Sequence, residues 1–160
     1  MSAAQPCDLD ALSFLIRQNH DRMTFVAGGT DLIIARKGDR WPGLTIDISR
    51  PDGLKEIEAG PIALRIGAGV SMATLTTDPV VARGAPMLAQ AAVHVGSVQI
   101  RNRATLGGNI ASALPAADLL PVLQCLGARV EILRRYGQKE LLDLDQVVLG
   151  RGKPVWATAI

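Results

Sequence analysis

The sequence predicts an α+β fold in two lobes: a small β-α-β lobe over residues 1–53 and a larger mixed α/β lobe over 54–160. Three observations lead there. Short β-prone runs alternate at first with segments of helical period, then give way to hairpin patterns and longer helical runs. A turn-rich break, Pro51-Asp52-Gly53, separates the two regimes. The chain has 160 residues, 48% of them apolar, which suits one domain or two small lobes sharing an interface.

Composition narrows the function classes. Aromatic residues are only 3%, so the core is built from Ala, Val, Leu and Ile, and exposed rings for base stacking are lacking. The formal charge is +2 and no dense basic run occurs, which leaves no nucleic-acid footprint. Cys7 and Cys125 are far apart and in no ligand-like spacing, so they read as reduced thiols rather than zinc or iron–sulfur ligands. No apolar run is long enough to span a bilayer, and the N-terminus lacks the basic-then-apolar layout of a signal peptide. A cytoplasmic protein without membrane insertion is expected.

In the first lobe Asp8 caps a helix over 9–19, with Leu9, Leu12, Leu15 and Ile16 on one stripe and Phe14 off it. Residues 24–27, Thr-Phe-Val-Ala, form a strand that runs into Gly28-Gly29-Thr30-Asp31. A short helix follows over 32–37, with Thr30 or Asp31 as its cap and Gly38 as its stop. A strand, a glycine turn and a helix start aim backbone N–H groups at an anion. The alternative is an ordinary tight β–α turn. Neither a mononucleotide P-loop nor a Gly-x-Gly-x-x-Gly fingerprint is present. Residues 44–48 form a second strand, parallel to the first.

The second lobe opens with a hairpin, 54–59 against 62–66 around Gly60-Pro61. Gly67-Ala68-Gly69-Val70-Ser71 reads as a close-packed strand end, with Ser71 capping a helix over 72–76. Asp78 or Gly84 opens further helical runs. Met87, Leu88, Ala91, Ala92 and Val95 give a buried face to a helix over 84–95. His94 beside that face and His20 in a polar loop read as structural. Residues 118–126 are helical, with Pro121 in the first turn and Gly127 as the stop. Strands follow over 128–133 and 140–144.

No catalytic constellation and no metal cluster emerge; the chain carries binding apparatus, which points to a cofactor that supplies the reactivity. Between Gln99 and Asp118 lies a second glycine pair, Gly107-Gly108. Thr105, Leu106, Gly107, Gly108 and Asn109 bring together a hydroxyl, amide N–H groups and a carboxamide, donors suited to ribityl and pyrophosphate oxygens. Asp118, an acceptor, suits a ribose or ribityl hydroxyl, and is a helix cap, a ligand contact or both. Arg101 and Arg103 balance phosphate charge, dock a partner or line a solvated face. Two glycine loops in one small chain suggest one extended anionic ligand held at two points.

Phe25-Val26-Ala27-Gly28-Gly29-Thr30-Asp31-Leu32, Gly67-Ala68-Gly69-Val70, Gln99-Ile100-Arg101-Asn102 and Thr105–Asn109 through Pro115-Ala116-Ala117-Asp118 occur in an order that resembles a known family. It is the FAD-binding (medium) subunit of the molybdenum hydroxylases, of the xanthine dehydrogenase and carbon monoxide dehydrogenase type. The resemblance extends to about Gly150. It implies the two-lobed FAD-binding domain of the vanillyl-alcohol-oxidase and molybdopterin-dehydrogenase type. Val26, Ala27, Gly28, Gly29, Thr30, Asp31 and Leu32 would hold the pyrophosphate through backbone amides. Thr105 to Asn109 would contact the flavin side, Asp118 would be the acidic contact, and Val95 a hydrophobic neighbour of the cofactor.

The implied partners are a [2Fe–2S] small subunit and a molybdopterin large subunit, with electrons passing through this FAD to NAD⁺ or another acceptor. Leu114 departs from the serine usual before Pro115. The tail over 151–160 departs from the usual continuation, so the chain is expected to be C-terminally truncated, its second lobe incomplete and the family's C-terminal domain absent. The rival expectations are a remnant that keeps the fold or a subunit interface without flavin, and a free-standing flavin reductase, for which no substrate residues are found.

Overall fold

The computed structural model describes residues 2–19, 23–35, 43–114, 117–134 and 137–148. His20, the stop at Gly38, Pro115-Ala116 and the tail lie outside these residues.

The first part of the chain runs β1 (Ser2–Ala4), α1 (Leu9–Gln18), β2 (Met23–Val26), α2 (Leu32–Ala35) and β3 (Leu44–Asp47). The three strands form one parallel sheet with β3 in the middle. Parallel pairing follows from the α1 crossover, which returns the chain to the same end of the sheet. Asp8 caps α1 as expected, its Oδ1 accepting from the Ala11 amide at 2.7 Å. Leu12 and Ile16 of the predicted stripe are buried against Met23 and Ile46, whereas Phe14 is exposed. Strand β1 was not expected: Ser-Ala-Ala has little β propensity, and the open edge of β3 recruits it.

After a 3₁₀ turn at Asp52–Leu54 come β4 (Ile57–Ala59) and β5 (Leu64–Ile66), an antiparallel hairpin. Six helices follow: α3 (Met72–Thr77), α4 (Pro79–Gly84), α5 (Pro86–His94), α6 (Val98–Arg101), α7 (Leu106–Ser112) and α8 (Leu119–Cys125). An antiparallel pair, β6 (Arg129–Leu133) and β7 (Lys139–Asp143), precedes α9 (Leu144–Val147). Ser71 caps α3 and Asp78 caps α4 through side-chain oxygens.

Three expectations are corrected. Helix α5 starts at Pro86 rather than at 84, because Ala85 leaves helical geometry at φ −145° and Pro86 takes the first position of a new helix. Met87, expected on the buried face, is half exposed, while Leu88 and Ala92 carry the burial. The stretch from Gln99 to Asp118, expected as a glycine loop, instead takes part in two short helices, α6 and α7, each begun by a hydroxyl cap, Ser97 and Thr105.

The described residues form two hydrophobic clusters. One gathers Leu12, Ile16, Met23 and Ile46; the other holds Val70, Met72, Leu75, Val81, Leu88, Leu119 and Val147 among its members. Burying each such aliphatic side chain contributes about 2 kcal/mol. Leu133 of β6 packs against the first cluster, so the two parts share an apolar seam.

Candidate functional site

The first glycine loop is fixed at both ends. The Ile48 amide donates to the Val26 carbonyl at 2.8 Å, and the Ile33 amide donates to the Gly29 carbonyl at 3.2 Å. Between these ties the amides of residues 27–32, those of Gly28, Gly29, Thr30 and Asp31 among them, donate to no described group. Successive N–H groups without a described acceptor are donors of the kind that an anion can engage. Gly29 has φ +72°, a left-handed conformation that glycine tolerates and that turns the loop.

The second loop meets the first directly. Arg103 Nε donates to the Gly28 carbonyl at 3.2 Å. The Arg103 carbonyl also fills the place where a Cβ on residue 28 would go.

Unlike the first loop, the second has its amides engaged within the protein. Leu106 N donates to Val70 O at 2.9 Å, Gly107 N to Ala68 O at 2.8 Å, and Gly108 N to Thr105 Oγ1 at 3.1 Å. Asn109 N donates to Thr105 O at 2.9 Å. The Thr105 amide has no described acceptor, and the other donors left over are on side chains. A Cβ on Gly107 would stand 2.7 Å from Ala68 Cβ, so this glycine serves packing of the loop. The Gly67-Ala68-Gly69 segment is itself held by Glu56 and Leu54, through Gly67 N to Glu56 O at 2.8 Å and Gly69 N to Leu54 O at 2.6 Å. It is the close-packed strand end that its small residues suggested, directly after β5.

The two arginines have separate tasks. Arg101 Nη1 donates to the carbonyls of Val95 at 3.2 Å and Gly96 at 2.8 Å, which ties a cation to the negative end of α5. Arg103 reaches the glycine loop. Sequence reasoning missed both contacts, since each depends on a carbonyl that no side-chain pattern marks. Val95 is partly buried at the end of α5, and His94 beside it is exposed.

Asp118 occupies the N-cap position of α8 but makes no side-chain cap bond, and it is exposed. Its carboxylate is thus an available acceptor. No described hydrogen bond ties Asp118 or the Val95 side chain to either glycine loop.

Residues 1–157 match the family described as the FAD binding domain in molybdopterin dehydrogenase. The chain belongs to that family.

Relatives of this FAD-binding domain point the same way. The chain is 34% identical over 128 residues to the 6-hydroxypseudooxynicotine dehydrogenase complex subunit alpha of Paenarthrobacter nicotinovorans, covering 79% of this chain and 43% of that one. It is 34% identical over 143 residues to the nicotinate dehydrogenase FAD-subunit of Eubacterium barkeri, covering 86% and 48%. The crystal structure of quinoline 2-oxidoreductase from Pseudomonas putida 86 superposes with a TM-score of 0.87 at 27% identity, over 97% of this chain and 54% of that one. Carbon monoxide dehydrogenase from Hydrogenophaga pseudoflava gives the same TM-score, 0.87, at 26% identity and the same coverage, 97% and 54%. The chain thus spans about half the length of the curated relatives it matches.

The residues of this FAD-binding domain fit the cofactor in two respects. The unpaired amides from Gly28 to Asp31 match a pyrophosphate, which brings acceptors and no donors. Asn109 Oδ1 is buried and has no hydrogen-bond partner among the described residues. A buried carboxamide oxygen left alone is destabilising, and a hydroxyl of a ribityl or ribose chain would suit it as a donor.

Proposed function

We propose that this chain is the FAD-binding part of a molybdenum-hydroxylase complex and carries electrons from [2Fe–2S] clusters on a small subunit, reduced by a molybdopterin subunit, to NAD⁺ or another acceptor. The observation that carries the reading is the run of amides from Ala27 to Leu32 at the β2–α2 turn that donate to no described group, in a chain of the FAD-binding family. In this reading Val26 to Leu32 cradle the pyrophosphate. Thr105 to Asn109 line the flavin side, with the Asn109 carboxamide as the polar contact and Leu106, Gly107 and Gly108 as close backbone neighbours. Asp118 accepts from a sugar hydroxyl, and Val95 covers an apolar edge.

FAD takes up and releases electrons singly or in pairs, so it links one-electron clusters to a two-electron acceptor. The chain's own residues bind and orient it. In this reading the iron–sulfur and molybdenum centres belong to the partner subunits; among the described residues no cluster of His, Cys, Asp or Glu is arranged to hold a metal. A cytoplasmic location is part of the reading; among the described residues no helix is long and apolar enough to cross a membrane.

Visible absorption tests the cofactor. Purified protein should show flavin bands, directly or after FAD is added and the excess removed. A preparation that stays colourless supports a flavin-free scaffold instead. Co-purification with iron–sulfur and molybdenum subunits then tests the assembly.

A further inference from the structure

We infer that Arg103 is a positioning residue, which sets the direction of the Gly29 amide and so holds the phosphate cradle open before the cofactor arrives. The inference rests on the reading of the first glycine loop as the pyrophosphate site. Its basis is the geometry of one peptide unit. In a trans peptide the carbonyl of one residue and the N–H of the next point in opposite directions. Arg103 Nε donates to the Gly28 carbonyl at 3.2 Å, so the Gly29 N–H of the same peptide plane points away from Arg103.

This plane needs a restraint because it lies between two glycines. Glycine on both sides makes rotation of the peptide cheap, since neither residue has a Cβ to forbid the flipped form. In the observed form Gly29 sits at φ +72°. A half-turn of the plane would exchange the N–H for the C=O, and a carbonyl oxygen in an anion cradle is repulsive. Within the loop no other described donor holds the Gly28 carbonyl.

Arg103 can do this because its own backbone is anchored elsewhere. Its amide donates to Ile100 O at 3.0 Å, the next residue's carbonyl accepts from Met72 N at 2.9 Å, and Ala104 is buried in the larger cluster. The side chain therefore reaches out from a rigid base to a loop 75 positions earlier in the chain.

The chain position of the donor makes the inference separable from a simple charge effect. Glutamine carries its side-chain nitrogen as many bonds from the backbone as the Nε of arginine, without the charge. Lysine keeps the charge but has a methylene there. FAD affinity of Arg103→Gln, Arg103→Lys and Arg103→Ala, read by quenching of flavin fluorescence, should fall in two groups. Gln stays within about twofold of the parent, while Lys and Ala each lose about fivefold to tenfold, the worth of one hydrogen bond. Retention by Lys with loss by Gln would show direct charge recognition and overturn the inference, as would equal affinity in all four proteins.

A second readout works without flavin. In the cofactor-free chain the Gly29 amide of the parent and of the Gln variant should show the heteronuclear NOE of ordered backbone, and that of the Ala variant a clearly lower one. An unchanged NOE in Ala overturns the positioning role. If the parent itself binds no FAD, the functional reading fails, and the NOE comparison still decides whether Arg103 orders the loop. Melting temperatures measured alongside identify any variant that has lost its fold, and the Gln–Lys comparison does not depend on the Ala variant.

Discussion

Gly28 and Arg103 hold each other twice: the arginine Nε donates to the glycine carbonyl at 3.2 Å, and the arginine carbonyl packs where a side chain on residue 28 would begin. The close approach has a direct consequence for Gly28→Ala. A methyl group there overlaps a backbone carbonyl, which cannot rotate away as a side chain would. The two loops must separate, at the cost of about 1–3 kcal/mol typical of overpacking. For a chain of this size that lowers the melting temperature by about 3–10 °C. FAD affinity should fall with it, because the amides and the second loop no longer share one frame. Thermal melts and a flavin titration check both; an alanine variant that melts and binds like the parent would show that the loops part freely.

Asn109 separates stability from binding in the opposite sense. Its Oδ1 is buried and unpaired among the described residues. Replacement by leucine, close in size, removes a polar atom that has no partner in the cofactor-free chain. The free protein should therefore be as stable as the parent, or more stable by about 1 kcal/mol. FAD affinity should drop about tenfold, the cost of removing one buried contact. A leucine variant that is both much less stable and unaltered in affinity would contradict the assignment of Asn109 to the cofactor.

Thr105 and Asp118 stand at equivalent positions, each the N-cap of a seven-residue helix, yet only one of them caps. Thr105 Oγ1 accepts from Gly108 N at 3.1 Å, while the Asp118 side chain makes no cap bond. Thr105→Ala should cost about 1 kcal/mol of stability. Asp118→Ala should leave the unfolding midpoint of the free protein nearly unchanged and weaken FAD binding about tenfold, as expected for loss of a carboxylate–hydroxyl hydrogen bond. Urea unfolding without cofactor, paired with FAD titration, distinguishes the two. Equal destabilisation by both substitutions would make Asp118 a structural cap.

These contrasts mark what can be read in a sequence. The caps at Asp8 and Ser71 were legible because a side-chain oxygen acts on an amide three positions away, and of the two openings offered, Asp78 and Gly84, it is Asp78 that caps α4. The β4–β5 hairpin and the β2–β3 pairing were legible from local pattern as well. Strand β1 was not, since its pairing is decided by the β3 edge about 40 positions downstream rather than by Ser-Ala-Ala itself. Both glycine pairs were visible, but their different uses were not. Whether an amide is free depends on distant partners: Ala68 and Val70 engage the second loop, and no described acceptor engages the first. The tasks of Arg101 and Arg103 were hidden for the same reason, as both donate to main-chain carbonyls.

Acid sensitivity of the fold should trace in part to Asp47 on β3. Burial pushes its carboxyl upward, but the hydroxyl and amide of Ser49, the Gln5 side chain and the positive charge of Arg50 outweigh that and hold it below the ordinary carboxylate range. Gln5 Nε2 donates to Oδ2 at 2.7 Å and Ser49 N to Oδ1 at 2.9 Å, so the ionised form fastens the segment after β1 to the central strand. A carboxyl lowered on folding stabilises the native state above its unfolded value, near about 4, and that stability is lost as pH falls through the lower folded value. Asp47→Asn retains the shape without the charge. The stability difference between parent and variant should be constant from about pH 5 to 7 and should shrink as pH falls below about 4 and through the lower folded value. Asp8, also lowered, first by the Ala11 amide and then by Cys7, is present in both proteins and cancels in the comparison. Urea midpoints measured across this range supply the test, and a difference that stays the same at pH 3 and pH 7 would remove Asp47 from the account of acid unfolding.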